Sequence, residues 1–231
     1  MEYLLQLLIF IFGACIISFL KVFAQDYPQI NTRRSQCDYC HRILRWYEII
    51  PILGYFIDNG KCSTCKNQIN FLNPLQEFCG GLLILSSYYF NNLSYLPLIL
   101  TLVLLGFCDA FYGYVYPIFY LGFLPTIIWH FSGQHLLISL LVYLSLLLLS
   151  RNQLIGLGDV EIISILALVF NLELFLLIMI LACLLCIGNF AVNKKRSFRF
   201  IPYLCIATGF VFVISSFLIK FQVGFFEALA S

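Results

Sequence analysis

Apolar residues fall into eight blocks along the chain, at about 3–24, 76–91, 94–112, 114–131, 134–150, 159–171, 173–192 and 200–221, with one long polar stretch after the first. Most run for roughly 16 to 22 residues, the length a helix needs to cross a ~30 Å hydrocarbon core at 1.5 Å per residue; the sixth is short. None alternates with the period of two that a membrane barrel requires. The pattern predicts an all-α polytopic membrane protein of about eight transmembrane helices. The first block opens Met1-Glu2-Tyr3, without a basic n-region, and outruns the apolar stretch of a secretion signal, so it counts as a span.

Composition agrees: 62% of the residues are hydrophobic and 10% charged, too little polar surface to coat a soluble globule of this size. The cations then orient the spans, because short loops rich in Lys and Arg stay in the cytoplasm. Arg33, Arg34, Arg42, Arg45, Lys61 and Lys66 occupy the long stretch 25–75, and Lys194, Lys195, Arg196 and Arg199 the last connection. Six crossings separate these clusters, so both face the cytoplasm, with the turn near 109–114 and the connection 151–158 on the same side and both termini outside. The expected organisation is a first span (1–24), a cytoplasmic loop domain (25–75) and a multi-span domain (76–231). A net charge of +2 adds little: the basic residues read as determinants of topology, not as a nucleic-acid surface.

Four of the ten cysteines stand in the polar loop as two C-x₂-C pairs, Cys37/Cys40 and Cys62/Cys65. A cytoplasmic setting disfavours disulfides, whereas two such pairs suit tetrahedral Zn²⁺, which replaces the core so short a loop cannot build. Four thiolates close the coordination shell and leave no place for water, so the metal is structural. Cys183 and Cys186 repeat the spacing inside a span and read as packing.

Acids inside spans are functional candidates because they cost free energy there unless paired or hydrated. Glu77, Asp109, Asp159 and Glu161 each sit near the cytoplasmic end of an apolar block, while Asp26, Asp38, Glu48 and Asp58 read as ordinary loop charges. Asp109, in LLGFCDAFYGYVYP, closes the third block, and Asp159, in IGLGDVEII, opens the sixth. The topology brings both to one depth on one face. Two carboxylates held close share a proton, the state in which one takes a proton from water while the other polarises a scissile carbonyl. Gly156 and Gly158 would let a peptide backbone approach the acid and let the chain turn into the helix. For Asp159 alone, a helix cap explains the residue equally well. Glu161, two residues on, faces nearly the other way. His130, His135 and the tyrosines 112, 114 and 116 read as interfacial residues.

The loop sequence CDYCHRILRWYEIIPILGYFIDNGKCSTCKNQINFLNPLQEF resembles the cytoplasmic domain of type IV prepilin peptidases, and GLGDVEI is similar to that family's G-x-G-D motif, with Asp109 where its first catalytic aspartate falls. The chain departs from the pattern at Pro117-Ile118, at Asn73 before Pro74 and at Glu161, where a Lys is common; its size suggests a Gram-positive, competence-type member. The resemblance implies a multi-pass enzyme of the bacterial cytoplasmic membrane. It implies that Asp109 and Asp159 cleave the basic leader of type IV prepilin or pseudopilin precursors at the cytoplasmic face. It also implies N-methylation of the new amino terminus from S-adenosylmethionine, with Glu77 the residue carried over for methyl transfer. Two other classes stand beside this reading: a proton-coupled transporter, which would show mid-span polar residues and an inverted repeat, and a non-catalytic pilus or secretion assembly factor whose zinc loop docks a partner.

Overall fold

The structure, a computed structural model, describes residues 2–28, 35–37, 39–151, 155–193 and 199–230, the side chains of Asn193 and of 219–230 excepted. Arg33, Arg34, Lys194, Lys195 and Arg196, which carry much of the orientation argument, lie outside these residues, as does Asp38. The described chain is helical: α1 (Glu2–Asp26), α2 (Leu53–Ile57), α3 (Leu72–Tyr89), α4 (Leu96–Tyr112), α5 (Leu124–His130), α6 (Gly133–Ser150), α7 (Leu157–Val169), α8 (Leu172–Asn193) and α9 (Ile201–Ala230), with 3₁₀ turns at Leu93–Tyr95 and Pro117–Phe123. Backbone pairing among the described residues is limited to two isolated bridges.

Among the described residues, five helical stretches are long and apolar enough to cross a membrane: Glu2–Asp26, Leu93–Tyr112, Gly133–Ser150, Leu172–Val192 and Ile201–Leu218. The other three of the eight blocks fall short for separate reasons. Asn73, Gln76 and Glu77 make the opening of α3 polar. The block at 114–131 is split into a 3₁₀ segment and the seven-residue α5, each with a proline in its first turn, where a missing N–H is tolerated but a continuing helix is not. At 13 residues, α7 spans only about 20 Å.

The chain divides into two compact units, Met1–Tyr89 and Phe90–Ser231. In the first, α1 and α3 run antiparallel and pack closely because glycines line the contact. A Cβ on Gly80 would lie 2.0 Å from Ile17 Cγ1, and one on Gly81 would lie 2.7 Å from the Phe10 ring and 2.9 Å from its carbonyl oxygen. Lipid supplies no hydrophobic drive between helices, so close backbone approach of this kind is what holds such a pair. Gly80→Ala is therefore expected to destabilise the pair by about 1–3 kcal/mol, read as a lower thermal midpoint in detergent; an unchanged midpoint would mean that the two helices do not pack at this register. At the far end of the contact, Lys21 Nζ donates to Asn73 Oδ1 at 2.5 Å and to Gln76 Oε1 at 2.9 Å.

In the second unit, Leu98, Leu102 and Leu105 form a fully buried stripe on α4, and their spacing of four and three keeps them on one helix face. α4 packs on α9, which buries Ile201, Leu204, Ala207 and Thr208, while α6 packs on α7 and α8 on α9. Gly106 brings the backbones of α4 and α9 together, its Cβ position lying 3.5 Å from Cys205 Cβ and 3.8 Å from Pro202 Cα.

Candidate functional site

Asp109 continues the α4 stripe by four residues and so occupies a core position, 7% exposed. One of its carboxylate oxygens, Oδ2, is buried without a hydrogen-bond partner among the described residues, an arrangement that costs free energy unless a proton, water or ligand completes it. The Ile201 backbone N–H and the Arg199 guanidinium face the carboxylate. Arg199 also donates to the Ala110 carbonyl, one of those that a helix C-terminus leaves unpaired. Gly113 ends α4 in the left-handed conformation, φ 65°, which suits glycine.

Asp159 lies on the first turn of α7, close enough to Asp109 for the two charges to interact. The same carboxylate faces the N–H of Gly156, the residue that caps the helix, from the third helical position, where an acid can supply half of a capping box. Asp159 thus faces both the start of its own helix and Asp109. The glycines take a more specific role than backbone freedom. Gly156 has φ −68° and ψ 146°, open to any residue, but a Cβ there would come 3.2 Å from Asp159 Oδ2. A Cβ on Gly158 would come 3.2 Å from Val115 Cγ2. Each glycine clears space for a side chain already present.

Two members of this neighbourhood, Tyr120 and Arg199, are invisible to motif reading, and a third, Glu161, has a different setting from the one its spacing suggests. Tyr120, from the 3₁₀ segment, turns its hydroxyl toward both Glu161 and Asp159, so Glu161 shares a partner with Asp159 although helical spacing turns the two apart. Arg199 enters from the start of α9. No spacing in the sequence links Tyr120 or Arg199 to the acids; only the fold does.

The four loop cysteines converge in the first unit. Their Sγ atoms all lie within 4.8 Å of one another, with Cys37 to Cys65 at 3.8 Å and Cys40 to Cys62 at 3.9 Å. A tetrahedron of thiolates about 2.3 Å from Zn²⁺ has edges of about 3.8 Å, so these residues fit the ion. The geometry arises from one turn used twice at an offset of 25 residues, counted from Cys37 to Cys62 and again from Cys40 to Cys65. Cys37 N donates to Arg42 O as Cys62 N does to Asn67 O, and His41 N to Cys37 O as Lys66 N does to Cys62 O. The bridges Gln36–Ile43 and Lys61–Gln68 repeat as well, and His41 and Lys66 share the left-handed conformation at φ 53° and 60°.

Glu48, an ordinary loop charge by sequence, is the hub that ties these two turns together. Its carboxylate accepts from Arg42 Nη2 at 2.7 and 2.9 Å, from Ser63 Oγ at 2.7 Å and from the Arg45 N–H at 2.6 Å, with the side chain 1% exposed. Burial alone would raise its pKa, yet the Arg45 N–H, Arg42 and Ser63 pull it down to about 2 from an ordinary 4.5. A carboxylate with a depressed folded-state pKa contributes stability that is complete above its unfolded value and is lost as pH falls toward the folded one. The loop is expected to lose stability between about pH 5 and pH 2. Acid also strips a thiolate-bound metal, so the comparison is with Glu48→Gln, expected to be less stable at pH 7 and to lose less on acidification, followed by Trp46 emission in a Trp129→Phe background. Parallel pH curves for the two would remove Glu48 from this role.

Glu77, on α3, accepts the Ile52 N–H on Oε2 at 2.8 Å. Ile52 is held at φ 64°, a strained conformation for a β-branched residue, and this bond helps fix it.

Comparison with known proteins points one way. The family model of the Bacterial Peptidase A24 N-terminal domain matches residues 11–90, the part of the chain holding the four cysteines, Glu48 and Glu77. A prepilin leader peptidase/N-methyltransferase of Myxococcus xanthus is 32% identical over 114 residues, 46% of this chain and 34% of that protein. That of Bacillus subtilis is 37% identical over 73 residues, 30% and 29% of the two chains, and that of Vibrio cholerae 25% over 103 residues, 40% and 41%. The matched regions thus span well under two thirds of these relatives' lengths. No solved structure matches. The family that the cysteine loop resembles in sequence, the type IV prepilin peptidases, is the one whose N-terminal domain and curated members this chain matches.

Proposed function

We propose that this chain is a membrane aspartyl endopeptidase that removes the leader of type IV prepilin-like precursors at the cytoplasmic face and methylates the amino terminus it exposes. The observation that carries the cleavage half is the pairing of a buried, partly unpartnered Asp109 with Asp159 at the ends of two apolar helices. A single carboxylate in such a place is a liability; two that share a proton form an acid–base pair. One carboxylate takes a proton from the attacking water as its oxygen bonds to the scissile carbonyl carbon. The other gives its proton to the carbonyl oxygen; the first then passes the proton it took from water to the leaving amine as the C–N bond breaks, and the second recovers its own as the carbonyl re-forms. Tyr120 and Glu161 border Asp159, and Arg199 borders Asp109, positioned to orient the pair. The surrounding apolar stripe keeps the number of competing waters low.

Cys37, Cys40, Cys62 and Cys65 would hold a zinc ion whose contribution is structural, since four thiolates fill its shell. The methyltransferase half rests on the resemblance and on the relatives' names, with S-adenosylmethionine as donor and Glu77 as the residue carried over. Glu77 already spends one oxygen on the Ile52 N–H, so its replacement reads out loop geometry as well as methyl transfer.

The test is to reconstitute the purified chain in lipid vesicles with a type IV prepilin precursor and to follow the precursor's amino terminus by mass spectrometry. Leader loss is expected without further protein, and a single added methyl group only when S-adenosylmethionine is present. A precursor left intact would overturn the peptidase reading, and a shortened but unmethylated product would overturn the methyltransferase half alone. With Glu77→Ala, cleavage retained and methylation lost is the expected split; retention of both would remove Glu77 from methyl transfer.

A further inference from the structure

The polar loop carries an apolar face that no described residue of its own unit covers. Leu53, Phe56 and Ile57 are 57%, 61% and 53% exposed, and their spacing of three and four sets them on one side of α2. The other side of α2 is used internally: the Tyr55 ring lies 6.0 Å from that of Phe71, and its hydroxyl approaches the backbone of Gly60. The short helix is therefore amphipathic in its contacts, with an apolar face turned outward.

The level of this face relative to the membrane is fixed by two sets of bonds. Lys21, near the end of the membrane-crossing α1, bonds Asn73 and Gln76 in the first turns of α3. A lysine at the end of an apolar helix carries its ammonium to the interface, so it marks the border of the hydrocarbon at these turns. The next residue of α3, Glu77, holds the Ile52 N–H immediately before α2. Glu77 lies five residues beyond Leu72, about 8 Å along the helix, so α2 starts beside the second turn of α3 rather than beyond its end. At that same level α3 exposes Leu72, Leu75 and Phe78.

We propose that α2 lies in the membrane interface, with Leu53, Phe56 and Ile57 seated against lipid at the boundary of headgroups and acyl chains. The occupant of the face is lipid of the bilayer that α1 crosses, because the Glu77 and Lys21 bonds place α2 at the border where α3's own apolar side chains already meet it. The four-cysteine module is then held against the membrane at a second point, besides its two helical connections.

The experiment places a reporter on that face. Phe56→Trp in a Trp46→Phe, Trp129→Phe background, reconstituted in phosphatidylcholine vesicles, is read against lipid brominated high on the acyl chain and against aqueous iodide. Quenching by roughly half or more by the brominated lipid, with protection from iodide, is expected for a helix lying about 5–10 Å into the interface. Leu53→Trp repeats the reading on the same face, Tyr55→Trp on the opposite face is expected to escape lipid quenching, and retained zinc content certifies the fold. Iodide quenching without lipid quenching would overturn the proposal by showing the face in water. Protection from both quenchers would overturn it as well, by showing that protein, a second copy or a bound precursor, covers the face instead.

Discussion

Asp109→Asn and Asp159→Asn are each expected to slow leader removal by on the order of 10²–10⁴-fold, the range in which a positioned acid or base contributes. The amide keeps the shape of the carboxylate, so α4 and α7 stay in place, and Asn at 159 can still accept the Gly156 N–H and cap its helix. The double variant should be little worse than the poorer single one, because two groups that share a proton act as a unit. A second substitution separates chemistry from structure. Asp109 extends the stripe of Leu98, Leu102 and Leu105, so Asp109→Leu is expected to raise the thermal midpoint in detergent while abolishing cleavage, a gain of about 0.5–2 kcal/mol being common when a strained functional residue gives way to a well-packed apolar side chain. The measurement is a melt and an activity assay on the same preparation. If Asp109→Leu melts earlier, the carboxylate is holding the helices together, and the case for a functional charge collapses.

The sequence predicted much of this arrangement and missed its supports for physical reasons. Hydropathy is legible because a membrane span must be apolar throughout its length, so each block holds one of the helices, α2 lying outside them in the polar loop. Mean hydropathy ignores the prolines at 117 and 125, which make the block at 114–131 a 3₁₀ segment running directly into the short α5. The cysteine cluster was legible because metal ligation imposes spacing on the chain itself. Glu48 was not, since a buried acid in a polar loop looks like any solvated one until Arg42, Ser63 and the Arg45 N–H are seen around it. Tyr120 and Arg199 were out of reach for another reason: they meet the aspartates only through the packing of separate elements. For Asp159 the sequence set a helix cap against half of a pair, and the carboxylate faces both the Gly156 N–H and Asp109.

Loss of the metal is the other large effect expected, and it should fall on the loop while sparing the helices. Of the described residues between 35 and 71, only Gly54, Gly60 and Cys62 are buried as whole residues, and the buried side chain of Glu48 is polar, so this segment has no apolar core to fall back on. Its backbone contributes two single bridges and a few turns. Against that, a structural zinc in a small module is worth about 10–16 kcal/mol at neutral pH, comparable to the whole stability of a domain. The purified chain is expected to hold one zinc, measured by elemental mass spectrometry, and either Cys37→Ser or Cys62→Ser should release it, since each removes one vertex of the same tetrahedron. The loop should then become sensitive to protease between α1 and α3, while Gly80 against Ile17 keeps those two helices paired. A chain that carries no zinc and keeps its loop resistant to protease would show that the four thiols are held together by something other than a metal.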